Sequence, residues 1–120
     1  MQTFLFRCLP FFMAACAFGQ IAIDVKVPVD PSSASATVAS APFSTASPNE
    51  LLLAFISTDY LSGTNTTVKS VSGGGLTWAL VERTNVQSGS SEIWRAFAPT
   101  ALSNVAVTAT LSQSVVSTMT

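Results

Sequence analysis

Residues 104–111 set Val105, Val107, Ala109 and Leu111 at alternate positions, with Ala106, Thr108 and Thr110 between them. An extended chain points successive side chains to opposite faces, so this pattern gives one apolar and one polar face only as a β-strand. Residues 21–29 repeat it, with Ile21, Ile23, Val25, Val27 and Val29 separated by Ala22, Asp24, Lys26 and Pro28. Pro28 has no N–H to give to a ladder, which places this second strand at a sheet edge or limits its length.

The remaining chain reads as further short strands between turn signals. Residues 35–40 form one candidate strand, after Asp30-Pro31-Ser32-Ser33 and before Ala41-Pro42. Residues 50–57 (ELLLAFIS) are a continuous apolar run of strand length following Ser47-Pro48-Asn49, and are expected to be buried on both faces. A polar loop at 61–65 precedes a β-branched run at 66–72. Residues 76–84 and 92–98 flank a polar stretch containing Gly89, the pattern of a hairpin with a long loop, and a last strand begins at Ser114. Short strands at regular spacing without a helical segment predict an all-β fold, an antiparallel β-sandwich of immunoglobulin-like or jelly-roll type.

The first nineteen residues differ from the rest. Arg7 precedes an apolar run at 9–18, and the segment ends in Ala17-Phe18-Gly19. A basic start, a short apolar stretch and a small-x-small end predict a secretory signal peptide cut between Gly19 and Gln20. The apolar run is well short of the ~20 residues that span a bilayer, so no transmembrane segment is expected in the mature chain. Met13-Ala14-Ala15-Cys16 offers the alternative of a lipoprotein anchored at Cys16. Residues 20–120 then form one β-sandwich domain, expected to be incomplete at its C-terminal end because Thr120 falls inside a strand pattern.

The leader contains both cysteines, Cys8 and Cys16, so the processed chain must be held by its core without disulfides. Its basic residues are Lys26, Lys69, Arg83 and Arg95, set against Asp24, Asp30, Glu50, Asp59, Glu82 and Glu92. No basic patch results, and nucleic acid is not an expected partner.

Gly73-Gly74-Gly75 raises the question of a phosphate loop. That motif needs a following Lys-[Ser/Thr] and a helix start, whereas Leu76-Thr77-Trp78 follows here and Lys69 lies upstream. The glycines are therefore expected to form a tight turn of the hairpin kind, where positive φ carries no steric cost.

Catalytic candidates are few. The sequence has no histidine, which excludes histidine-based triads and most zinc sites, and no cofactor is expected. Glu82 and Glu92 are the one carboxylate pair with a case for proximity. Placed opposite one another, they would put Trp78, Leu80, Trp94 and Ala96 on the core face, and Thr77, Arg83 and Arg95 on the other. Without a pocket to tune them, two glutamates beside arginines read as a solvated charge cluster, not an acid–base pair.

Asp24, Asp30, Glu50 and Asp59 could offer oxygens to calcium, with Asp59 the leading candidate, but no EF-hand-type loop is present. Tyr60, beside it in a loop, is the candidate for ligand binding, sugar stacking included. Trp78 and Trp94 are expected in the core. Asn65-Thr66-Thr67 matches a glycosylation sequon.

Three stretches, PFSTASPNELLLAFIS, VSGGGLTWALVERTNVQSGSSEIWRAFAP and NVAVTATLS, together resemble a recurring β-sandwich module of large secreted bacterial proteins. The resemblance covers about residues 35–120, with L-T-W after the glycines and E-I-W on the following strand as its marks. Such modules sit beside fibronectin-type-III, immunoglobulin-like or enzymatic domains and have no settled activity, so the resemblance implies no catalytic residue. It implies another apolar strand after the equivalent of Thr120. The expected role is that of a secreted, non-enzymatic spacer or adhesion module, packing against other extracellular domains or surface polymers. A carbohydrate-binding accessory module, or the N-terminal part of a secreted hydrolase, is the alternative.

Overall fold

A computed structural model of the protein describes residues 21–120. The expected leader, its cleavage point at Gly19 and Gln20, and the alternative anchor Cys16 lie outside the described residues. Seven strands follow in chain order: β1 (Ser35–Ala39), β2 (Glu50–Thr58), β3 (Val68–Gly73), β4 (Ala79–Thr84), β5 (Ser90–Ala98), β6 (Val107–Val115) and β7 (Ser117–Met119). No helix occurs among the described residues.

The strands form two antiparallel sheets, ordered β1-β6-β3 and β4-β5-β2-β7. Of the successive connections only β4–β5 joins neighbours within one sheet; every other one crosses between sheets. Val38, Val71, Ala109 and Leu111 of the first sheet meet Ala54, Ile56, Trp94 and Met119 of the second in a single apolar cluster. The protein is a two-sheet antiparallel β-sandwich. Ile56 is 1% exposed, and burying such a side chain contributes roughly 1.5–3 kcal/mol.

Strand β2 lies where the apolar run predicts it, but only one of its faces is buried. Ala54, Ile56 and Thr58 point into the core, while Leu51, Leu53 and Phe55 are exposed. An antiparallel sheet in a two-layer sandwich has one inner face, and among the described residues no third layer covers this stretch.

The alternating segment at residues 21–29 is not a strand. It contributes one bridge, in which Val29 and Met119 exchange backbone hydrogen bonds of 2.8 and 3.0 Å. Exposure falls along its apolar positions from Ile21 (103%) through Ile23 (82%) to Val25 (40%), and Val27 and Val29 are partly buried. The phase of the expected strand is therefore present at its C-terminal end. Beyond that bridge no strand among the described residues supplies it with a ladder. At the other end of the chain, β6 runs on to Val115, and the last strand begins at Ser117, not Ser114.

Candidate functional site

The hairpin of β4 and β5 positions a concentrated group of polar side chains. Leu80 pairs with Trp94, but the register then slips, and Glu82 pairs with Ile93 while Arg83 pairs with Glu92. The residue skipped is Val81. A bulge of this kind inserts one residue and reverses the facing of everything beyond it. The expected pairing of Glu82 with Glu92 is thus corrected: Arg83 takes the place opposite Glu92. Leu80 is 41% exposed and is not a core residue, whereas Trp94 is 8% exposed and is one. Arg83 and Arg95 are separated as well, since Arg95 stays exposed on the outer face.

Glu92 is not a solvated glutamate. It is 2% exposed and accepts hydrogen bonds from protein donors on two strands of its own sheet and one of the other. Oε1 accepts from the Arg83 Nε–H at 2.8 Å, the Val68 backbone N–H at 2.8 Å and the Ser90 hydroxyl at 3.3 Å. Oε2 accepts from Arg83 Nη2 at 3.0 Å and from the Trp94 indole N–H at 2.9 Å. Arg83 Nη2 also donates to the Val68 carbonyl at 2.8 Å. Burial alone would push the Glu92 carboxyl pKa up. The Arg83 and Val68 donors, with Trp94 and the arginine charge, outweigh it and hold the group below its ordinary value.

This arrangement fastens β3 of one sheet to β4 and β5 of the other. Its chemistry is structural: the carboxylate's acceptor positions are filled by fixed donors, which leaves no vacant lone pair for a proton from a substrate. Glu82 lies exposed outside the network, its Oε1 accepting from the Arg83 N–H at 3.1 Å.

The loop carrying Asp59 and Tyr60 is tied down from both ends. Gln113 Nε2 donates to the carbonyls of Ser62 and Thr64 at 2.8 Å each, and its Oε1 accepts from the Thr66 hydroxyl at 2.9 Å. The Tyr60 hydroxyl donates to the Gly63 carbonyl at 3.2 Å. Tyr60 keeps 41% exposure, so part of its ring stays open to solvent. Asp59 is exposed, its backbone N–H donating to Val116. Asp24 accepts from the Ala46 N–H at 2.7 Å. Among the described residues no three of His, Cys, Asp and Glu gather in one place, so the structure does not bring Asp24, Asp30, Glu50 and Asp59 together.

Asn65, first residue of the sequon, is a clamp on the β4–β5 loop. Its Nδ2 donates to the carbonyls of Asn85, Gln87 and Gly89, and its Oδ1 accepts from the backbone N–H of Gly89 and of Thr66. Two amide hydrogens serve three carbonyls, so the contact is shared. A glycan on Nδ2 would displace it. No local sequence signal marks this role, because the loop partners lie twenty or more residues away.

The three glycines form the expected tight turn, closed by the Leu76 N–H donating to the Gly73 carbonyl at 3.2 Å. Gly74 and Gly75 have φ of 64° and 67°. The turn is not a hairpin, however; it carries the chain from β3 in one sheet to β4 in the other. Trp78, just beyond it, packs against the core and donates its indole N–H to the Gly73 carbonyl at 3.3 Å.

From Leu51 to Phe55 the outer face of the β2–β5 pair is apolar except for the exposed Arg95, which lies across from Leu53. Leu51 lies across from Phe97, and Phe55 across from Ile93, with Leu53 between them. Leu51 and Phe97 are 61% and 57% exposed. The unbroken apolar run of β2 is the sequence signal for this surface, although it reads equally as a doubly buried strand. Neither a family model, nor a curated protein, nor a solved structure matches this chain.

Proposed function

We propose that this chain is an exported, non-enzymatic β-sandwich module of the immunoglobulin-like or jelly-roll kind. It acts as a spacer or adhesion unit that packs against a neighbouring extracellular domain or surface polymer. The observation that carries the reading is the outward apolar stripe of Leu51, Leu53, Phe55 and Phe97. Contiguous exposed apolar surface on a folded domain marks a contact site more often than scattered single residues do. The weakly charged sequence suits packing of this kind, and the filled acceptor positions of Glu92 agree with a non-catalytic role.

The test is co-sedimentation of the exported protein with cellulose, chitin and purified bacterial cell wall. Retention on the cell wall that is lost in Leu53→Lys and Phe97→Lys supports the module reading. Retention on cellulose or chitin that soluble oligosaccharide displaces points to carbohydrate binding instead. Unchanged retention in both lysine variants removes the stripe from the account, and hydrolysis of glycoside or ester substrates overturns it. Export is tested separately, by N-terminal sequencing of the released product, which should begin at Gln20.

A further inference from the structure

The outward side chains of β4, β5 and β2 lie in four rows across the strands. Leu51 and Phe97 form the first row, and Leu53, Arg95 and Ala79 the second. Phe55, Ile93 and Glu82 form the third, and Ser57, Ser91 and Thr84 the fourth. Bulk is therefore unequal along the face. The first row carries the two most exposed apolar side chains of the stripe, whereas the fourth carries only small hydroxyl-bearing ones. A hollow of about 270 Å³ lies at the third and fourth rows and is lined by all six of their residues.

Charge is divided in the same sense. Arg95 and Glu82 are the only charged members of these rows, they are opposite in sign, and neither joins an ion pair within the chain. Consider a two-fold axis lying against this face, across the strands and between the second and third rows. It brings the first row over the fourth of the other copy, and the second over the third. Leu51 and Phe97 then enter the hollow beside the partner's Ser57 and the partner's Ser91, and Leu53 lies on the partner's Phe55. Arg95 comes over the partner's Ile93, one strand spacing of about 4.8 Å from the partner's Glu82 and within reach of its carboxylate. Each contact occurs twice, as an isologous interface requires. Twisted sheets pack face to face in this manner about 10 Å apart, with strands inclined by about 30°.

We infer that this face is the contact between two copies of the chain, a face-to-face dimer in which Arg95 of each pairs with Glu82 of the other. The inference rests on the adhesion reading and names its partner, since the neighbouring domain is that of a second copy. An apolar polymer surface would call for neither the row of small residues nor the opposed charges. A second copy uses both, because the axis reverses the order of the rows. Three strands and four rows cover about 15 Å by 27 Å, so the two copies together bury on the order of 1,000 Å², the low end of specific interfaces. The dimer is then a reversible one, held by its apolar rows, with the charge pairs fixing its register.

The test is sedimentation equilibrium of the exported protein over a dilution series, with the folding of each variant checked by far-UV circular dichroism. A mass of two chains is expected at high concentration, falling to one chain on dilution. Arg95→Glu or Glu82→Arg alone should weaken the dimer about tenfold, because each replaces two ion pairs by two like-charge contacts. The double swap should restore it. Ser91→Phe, at an exposed position, fills the hollow and should also weaken the dimer, whereas non-specific sticking would gain from the added apolar surface. A single-chain mass at every concentration, a dimer indifferent to both charge swaps, or one strengthened by Ser91→Phe overturns the inference. Cell-wall retention that Leu53→Lys abolishes, in a protein that stays a single chain throughout, refutes the second copy as partner and keeps the adhesion reading. A charge-swap-sensitive dimer without any retention supports the second copy and removes the surface polymer.

Discussion

Arg83 and Glu92 face one another across the β4–β5 hairpin, with Nε 2.8 Å from Oε1 and the carboxylate fully buried. The pair exists because the bulge at Val81 turns Arg83 inward, and it joins both sheets because the same two side chains hold the backbone of Val68. A buried ion pair adds little over an apolar pair of equal shape, but removing one member leaves the other's neighbours unsatisfied.

Glu92→Ala therefore strips acceptors from Arg83, Val68, Ser90 and Trp94 together. The expected loss is about 3 kcal/mol, the lower end for a broken buried pair because the Arg83 side chain keeps 30% exposure. Urea unfolding followed by Trp94 fluorescence measures it. A change below a few tenths of a kcal/mol would show that the sheets do not depend on this contact.

Stability should also depend on pH through Glu92. Its carboxyl pKa is lowered in the folded protein, so the unfolded chain binds the proton more readily. The stabilisation is then complete above the unfolded glutamate value of about 4.3 and is lost as pH falls through the folded value below it. Urea midpoints should be flat near neutrality and decline in this acid range. In Glu92→Gln the decline should be shallower; an identical acid profile would assign it to other carboxylates.

Asn65→Ala removes four contacts that close the β4–β5 loop and one to the neighbouring Thr66 N–H. Leaving the partly buried groups among them, the Gly89 N–H and C=O and the Thr66 N–H, unpaired should cost about 1–3 kcal/mol. Asn65→Asp should be comparably harmful, because a carboxylate accepts from Gly89 but donates to none of the three carbonyls. Hydrogen exchange should quicken at Gly89 in Asn65→Ala, and unchanged protection there would refute the clamp.

The glycine turn separates two kinds of constraint. A Cβ on Gly73 would lie 2.3 Å from the Ala106 carbonyl oxygen and 2.7 Å from the Val107 Cα, both backbone atoms that cannot swing aside. One on Gly75 would meet nothing within 4 Å, leaving only the strain of φ +67°. Gly75→Ala should cost about 1–2 kcal/mol, and Gly73→Ala clearly more. Equal thermal midpoints for the two variants would contradict this placement.

The all-β character, the strand positions of β1 and β2, the tight glycine turn and the inward placement of Trp94 are legible in the linear chain. Each is a local matter of side-chain period, turn chemistry or bulk. Tertiary structure decided which face of β2 is buried, because a run apolar at every position has no phase to read. It decided the Arg83–Glu92 pairing, since a bulge changes facing without changing composition. It also decided the fate of residues 21–29, whose alternation is that of a strand, because a strand forms only where another backbone stands beside it to share its hydrogen bonds.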